Sequence, residues 1–357
     1  MCWIPAFCYS FTNLPEELKA KSPSAFTIRS ASDFSYSEEK ANAAGYILHR
    51  AFIDGGEVKK GFFFDKYLMS WGNKAVKGGT PLSLTYYTDD TSAPSKDRTY
   101  NPNCRGRLYD AITISKKRGR QYNCASGFMY AALAMLSFAQ GLKAQSTDIC
   151  AWYDASGKAN FPKVCNNKEL GDADDPEIRY ANSDTKLKIK PNTGSANYFA
   201  RTTHNGQNCG VCDLNGCIWQ VALGLIKHSG TNYLMQESAR LTDFTPAKVE
   251  SCDTKLYESV SGIDSDVTEW GNSSHNAFYS AQQGQQRALC GLIPAATGGT
   301  HEFGHDLYRN DATFDAALVC GGGWAMSRAA GLWFRDLRNN YSWSYSSFYW
   351  GFRAAAY

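Results

Sequence analysis

The sharpest chemical signal in the chain is His301-Glu302-Phe303-Gly304-His305. On a helix, this H-E-x-x-H spacing sets both imidazoles on one face to hold zinc, with the carboxylate beside them to activate water. The neighbouring residues oppose a helix. Gly298-Gly299-Thr300 precede the motif, Gly304 lies inside it, and Tyr308 stands where the extended zinc-protease pattern needs glycine. Asp311 does occupy the spacing of a third ligand. The expectation is a loop leading into the final part of the chain, with a zinc-dependent hydrolase as the alternative. His204, Cys209, Cys212 and Cys217 form a second candidate ligand set, whose C-x-x-C suits structural zinc or a disulfide. No Ser/His/Asp order and no phosphate-cradling glycine loop accompanies these motifs. No catalytic residue, metal or cofactor is therefore assigned.

The elements that would position such groups are legible in part. Ser35-Tyr36-Ser37-Glu38 has the spacing of a capping box, and the amphipathic run after it predicts a helix that stops at Gly55-Gly56. Gly61 to Ser70, rich in aromatics, predicts a buried strand, and Pro81 to Tyr87 another, followed by a polar loop from Asp89 to Lys96. Ser126 to Gln140 is apolar on nearly every side and predicts a helix buried against a sheet. Asp148 to Phe199 is loop-heavy; its Asp172, Asp174 and Asp175 lack the ligand spacing of a calcium loop and read as a solvated acidic turn. Cys209 to Val221 reads as strand, tight Leu-Asn-Gly turn, strand. Ser251 to Thr300 is again rich in glycine and serine, and no repeat, coiled coil or clear linker interrupts the 357 residues, which points to a single domain over 1–357 with long insertions.

Composition narrows the function classes. With 43% hydrophobic and 14% aromatic residues, the chain can bury a sizeable core. A net charge of +3 leaves one basic cluster, Lys116-Lys117-Arg118-Gly119-Arg120, which reads as a solvated loop or strand edge; nucleic acid is not the expected partner. The N-terminal residues lack the basic-then-apolar layout of a signal peptide, and no apolar run is long enough to span a membrane, so membrane insertion is not expected. Twelve cysteines leave the redox compartment open.

The C-terminal stretch, Cys320 to Tyr357, follows neither the helical nor the strand period. Its Tyr, Trp and Phe on a Ser/Asn/Gly-rich backbone are the mixture that antibody loops use, since aromatic rings offer area with few torsions to freeze. It reads as a binding face between two anchored ends, Gly321-Gly322-Gly323-Trp324 and Gly351-Phe352-Arg353.

Three segments in order resemble the C-type-lectin-like domain of the formylglycine-generating branch. They are Phe62-Phe63-Phe64-Asp65-Lys66-Tyr67, the Gly210-Val211-Cys212-Asp213-Leu214-Asn215-Gly216-Cys217-Ile218-Trp219 hairpin, and the two tail anchors. Within that branch, the tail is similar to the variable region of diversity-generating retroelement proteins, in which adenine-directed mutagenesis rewrites codons between fixed anchors. Together with Met129-Tyr130-Ala131-Ala132-Leu133, it looks closest to those of archaeal viruses. The resemblance covers roughly residues 60 to 357. It implies an α+β, C-type-lectin-like fold: a mixed, mostly antiparallel sheet with two main helices and long loop insertions. It further implies that segment 321–353 displays its varied side chains toward a protein or glycan ligand on a cell or virus surface, with the protein itself on a virion or cell.

Matched to that layout, the display positions are Ala325, Met326, Arg328, Phe334, Asp336, Arg338, Asn340, Tyr341, Trp343, Tyr345, Ser347, Phe348 and Tyr349, with Ala330-Gly331-Leu332 and Leu337 as scaffold between them. Trp324, Trp333 and Phe352 read as core. The typical mutable codon begins with adenines and ends in a pyrimidine, which reaches neither Met nor Trp; Met326 and Trp343 therefore arise from another codon or belong to the scaffold. An oxidase of this branch would need reactive cysteines in the terminal segment. None follows Cys320, so the resemblance implies a binding protein rather than an enzyme, with a degenerate enzyme of the same fold as the further alternative.

Overall fold

A computed structural model of the chain describes residues 1–19, 25–66, 68–69, 108–144, 204–205, 209–211, 214, 219–263, 265–269, 289, 291–293, 307–310, 313, 315–322, 331–337 and 350–357. Among these residues the architecture is mixed α and β, with mostly antiparallel sheets and few helices.

The chain opens with β1 (Cys2–Pro5) and β2 (Phe7–Ser10), the latter flanked by β3 (Thr27–Ser30) and β4 (Ile47–Leu48) in a three-stranded antiparallel sheet. A short helix, α1 (Glu16–Lys19), lies between β2 and β3. The expected long helix after Ser35 is only α2 (Glu38–Ala43). Its N-cap is Ser37, whose Oγ accepts from Lys40 N at 3.2 Å, and not Ser35, which sits at φ 56 after a preceding 3-10 turn. Gly45, at φ +74, ends it; the amide of Asn13 would be 2.8 Å from a Cβ there and caps Ala44 O. Beyond it, His49 Nδ1 accepts from Ala51 N and fixes a 3-10 turn, Arg50–Phe52. Local caps and a left-handed glycine thus override the apolar period.

A small hairpin, β5 (Ile53–Asp54) and β6 (Glu57–Val58), turns at Gly55-Gly56 and leads into β7 (Gly61–Phe64), shorter than the predicted strand. α3 (Leu108–Lys116) is a helix the apolar period did not announce. The basic cluster begins at its end and is only partly solvated: Lys116 Nζ donates to Thr242 O at 2.9 Å, and Arg118 pairs with Asp65. Then come β8 (Asn123–Cys124) and α4 (Gly127–Ala144), the predicted buried helix, with Phe128 to Met135 nearly all inaccessible. A Cβ on Gly127 would lie 2.5 Å from the Leu318 side chain and 2.6 Å from that of Leu292, so a larger residue here would have to push both leucines aside where the helix starts against the sheet.

The large sheet is built on β9 (Trp219–His228) and β10 (Thr231–Met235), joined by Ser229-Gly230, whose φ values of 49° and 79° suit the tight turn that matches strand twist. Helix α5 (Pro246–Glu250), capped by Thr245, precedes β11 (Tyr257–Val260) on one edge. On the other side of β9 lie β14 (Ala316–Cys320), β15 (Arg335–Asp336), β13 (Leu307–Asn310) and β12 (Ser265–Glu269), so the Gly/Ser-rich stretch contributes strands as well as loops. β16 (Trp350–Gly351) pairs in parallel with the start of β9. Finally, β17 (Ala354–Ala356) inserts between β7 and β8, giving the order β1-β7-β17-β8. Strand β1, at the start of the chain, is therefore part of the same sheet as the last strand.

At Gly224, φ +111, β9 bulges and its pairing with β14 slips. There Leu223 N turns to Ala125 O (3.0 Å), while Ala125 N donates to Arg353 O (2.9 Å). The bulge thus knits the two sheets together under α4. No helix among the described residues is long and apolar enough to cross a membrane. The predicted strand 81–87, the loop 89–96, the acidic turn and most of the insertions lie outside the described residues.

Candidate functional site

The C-terminal segment begins where β14 ends. Cys320 is paired with Gln220 on one side and Arg335 on the other. Gly321 follows at φ +82; a Cβ there would lie 2.3 Å from Leu214 O and 3.2 Å from Gln220 Nε2, so the chain passes through a gap that admits only glycine. Gly321 N donates to Phe334 O at 3.3 Å, which draws residues 331–337 back beside the exit point.

That middle stretch is a second anchor. Leu332, Trp333, Phe334 and Leu337 are buried, Trp333 against Phe138 of α4 and Phe334 stacked at 6.4 Å on Trp219. Arg335, fully buried, spends its guanidinium on the carbonyls of Leu332, Phe334 and Gly291 at 2.8, 2.8 and 3.2 Å. Leu337 N donates to Arg309 O at 2.9 Å and continues the pairing with β13.

The third anchor is Trp350 to Ala356. Arg353, also fully buried, donates from Nε to Gln220 Oε1 at 2.7 Å and from a terminal nitrogen to the carbonyls of Asp65 and Lys66 at 3.1 and 2.8 Å. The same Gln220 oxygen accepts from Tyr130 Oη at 3.0 Å, and burial keeps that phenol protonated far above its usual range. Asp65 divides its carboxylate between Ala354 N (3.0 Å) and Arg118. Gln220 therefore lies at both ends of the segment: its backbone pairs with Cys320 on one side and Gly351 on the other, and its side-chain oxygen accepts from Arg353.

No family model matches the chain, and no curated protein matches it. Among solved structures it is similar to the Major Tropism Determinant U1, I1 and P3c variants, with 11%, 13% and 11% identity and TM-scores of 0.32, 0.33 and 0.32. Each match covers 83% of this chain and 50% of the other, so the chain spans half the length of those proteins.

Of the display positions expected from sequence, Phe334 and Asp336 are among the described residues, and both are buried. Phe334 packs on Trp219, and Asp336 sits in β15 between β13 and β14. Neither reaches solvent, because the apolar run Leu332-Trp333-Phe334 and the pairing of β15 draw them into the core. Ala325, Met326, Arg328, Arg338, Asn340, Tyr341, Trp343, Tyr345, Ser347, Phe348 and Tyr349 lie outside the described residues. They fall into two stretches, 323–330 and 338–349; the outer ends are held at the start of β9 by the Cys320–Gln220 and Trp350–Trp219 pairs, and Leu337 between them is held by Arg309 of β13. Trp333 and Phe352 are core, as expected; Trp324 is outside the described residues.

His301, Glu302 and His305 also lie outside the described residues, as do Cys212 and Cys217. Among the described residues no three His, Cys, Asp or Glu side chains come together to hold a metal. His204 has its Nδ1 committed to Val211 N at 2.9 Å, and Cys209 is exposed, its Sγ accepting from Asn205. Sequence reasoning named Asp65 and Tyr130 only within longer motifs and gave no role to them or to Gln220. The available signal was Gln220 as the one polar residue in the apolar run Ile218 to Ile226, where burial demands a partner.

Proposed function

We propose that the protein is a ligand-binding protein of C-type-lectin-like fold whose C-terminal segment, 321–353, carries the recognition residues, and that a diversity-generating retroelement varies them. The single observation that carries this reading is the convergence of both segment ends on Gln220, with residues 331–337 pinned between them. Side chains that change from copy to copy need a frame that does not depend on them. Three buried anchors supply one. Phe334 and Asp336 belong to that frame, which leaves eleven display positions in the two intervening stretches. The ligand is a protein or glycan on a cell or virus surface, gripped by a few aromatic and arginine side chains such as Tyr341, Tyr345 and Arg338.

The test lies in the encoding DNA. A near-copy of the codons for Gly321 to Gly351, differing only where the copy has adenine and lying beside a reverse transcriptase gene, is the expected finding. Its absence would overturn diversification and leave the binding frame to be tested by mutation.

A further inference from the structure

Met1 to Ser10 carry no charged side chain, and neither do Gly61 to Phe64 of β7, with which β1 pairs. Among the described residues, the large apolar side chains that stay exposed are Met1, Trp3 and Phe63, at 41%, 46% and 43%, and all three lie at this one edge. Trp3 and Phe63 face each other across the two strands with ring centroids 4.8 Å apart. The indole lies over Gly61, where a Cβ would come within 2.5 Å of it, so the ring is seated on the sheet.

β1 is the outer strand in the order β1-β7-β17-β8, and its free side has a definite chemistry. Ala6 N donates to Lys60 O at 2.9 Å, which makes Ile4↔Phe62 and Cys2↔Phe64, two and four residues back in the same register, the hydrogen-bonded pairs. Trp3 and Pro5 hold the alternate positions, whose backbone groups point away from β7. Trp3 offers an N–H and a C=O there; Pro5 offers a C=O alone. Sheet edges are commonly blunted by a lysine or another charge, and β1 has none.

We propose that this edge is a docking surface for a second copy of the chain, β1 pairing antiparallel with its own counterpart about a two-fold axis through Trp3. The occupant follows from the chemistry of the row. A neutral strand gives a charged partner nothing to hold, whereas an identical neutral strand meets it without repulsion. With Trp3 opposite its symmetry mate, the two residues exchange N–H···O=C bonds in both directions. A register that sets Pro5 opposite Trp3 loses the donor that proline lacks. The exposed rings of the two copies then form one row, and the two four-stranded sheets become continuous. A short strand and two rings bury less than the ~800 Å² per partner of a standard interface, so the dimer comes and goes with concentration. Each copy brings its own C-terminal segment, joined to this sheet through β17, which makes recognition bivalent. Only that consequence rests on the binding reading; the pairing does not.

The test is sedimentation velocity of the full chain from about 1 to about 500 µM, with amide hydrogen exchange at both ends of the range. A monomer–dimer shift is expected. Protection of the Trp3 amide should rise about fivefold or more across it, while Ile4, already bonded to β7, keeps the same value. Trp3→Lys sets two like charges across the axis and should weaken association by about tenfold or more, its Ile4 amide reporting that β1 still pairs with β7. Where the variant loses β1, the Trp3 amide of the native chain decides. A chain that stays monomeric throughout, a dimer whose Trp3 amide gains no protection, or a dimer that Trp3→Lys leaves intact would overturn the pairing.

Discussion

Arg353 Nε donates to Gln220 Oε1 at 2.7 Å, with both side chains fully buried, and so ties the last strand of one sheet to the first residues of the central strand of the other. Gln220→Leu removes the acceptor that Arg353 and Tyr130 share. Charge-assisted bonds of this kind contribute about 1.5–3 kcal/mol, and the donor left behind adds a desolvation cost, so a loss of about 3 kcal/mol in urea unfolding is expected. Gln220→Glu keeps an acceptor and gives Arg353 a counter-charge, and should lose less than Leu. Equal losses would show that the oxygen is not what matters.

Gly321 and Gly262 separate two costs that are usually mixed. Both have positive φ, +82° and +76°, but a Cβ on Gly262 meets nothing within 4 Å, whereas one on Gly321 collides with Leu214 O. Gly262→Ala should cost about 1 kcal/mol of backbone strain. Gly321→Ala should exceed it by about 2 kcal/mol or more, since backbone has to shift. Thermal unfolding of the two variants side by side reads the difference.

Acid stability should reflect the buried imidazoles. Burial, helped by the neighbouring Arg50, lowers His49 to about 3, below its ordinary value of 6.5, and burial lowers His204 to about 4. A depressed histidine stays neutral in the fold while the unfolded chain takes up the proton. Stability from these groups is complete above about pH 6.5 and falls as the pH drops toward their folded values, with a slope of about 1.4 kcal/mol per pH unit for each histidine. Denaturant midpoints across that range should show the decline, and His49→Asn should reduce its slope by one proton.

Frame and display positions should part company under substitution. Phe334→Ala removes a ring that is fully buried against Trp219 and should cost about 3–5 kcal/mol. Alanine at Arg338, Asn340, Tyr341 or Ser347 should leave the unfolding midpoint within about 0.5 kcal/mol of the parent. A folding-reporter scan across 321–353 that found no such contrast would overturn the proposed division of the segment.

The sequence was readable where one strong local signal stood alone. α4 announced itself through an unbroken apolar run, and Trp333 and Phe352 through their size. It misled where short-range chemistry competes with periodicity: the run after Ser37 carries a helical apolar pattern, yet Gly45 and the His49 cap divide it into a short helix, a strand and a 3-10 turn. Phe334 and Asp336 were misread for a related reason. The tail looked aperiodic as a whole, and a two-residue strand such as β15 gives no period to detect. The Gln220 junction was hidden because its partners are 90 and 133 positions away.

β17 has a consequence for how the gene can vary. Residues 354–356 are translated after the whole segment, yet they fill the gap between β7 and β8, and Arg353 just before them holds Gln220. Any copying error that shifts the reading frame between Gly321 and Tyr349 therefore deletes the strand that closes the first sheet, and the chain cannot complete its core. In-frame changes at the eleven proposed display positions are expected to pass; frameshifts and premature stops are not. The fold acts as a proofreader placed downstream of the text it checks.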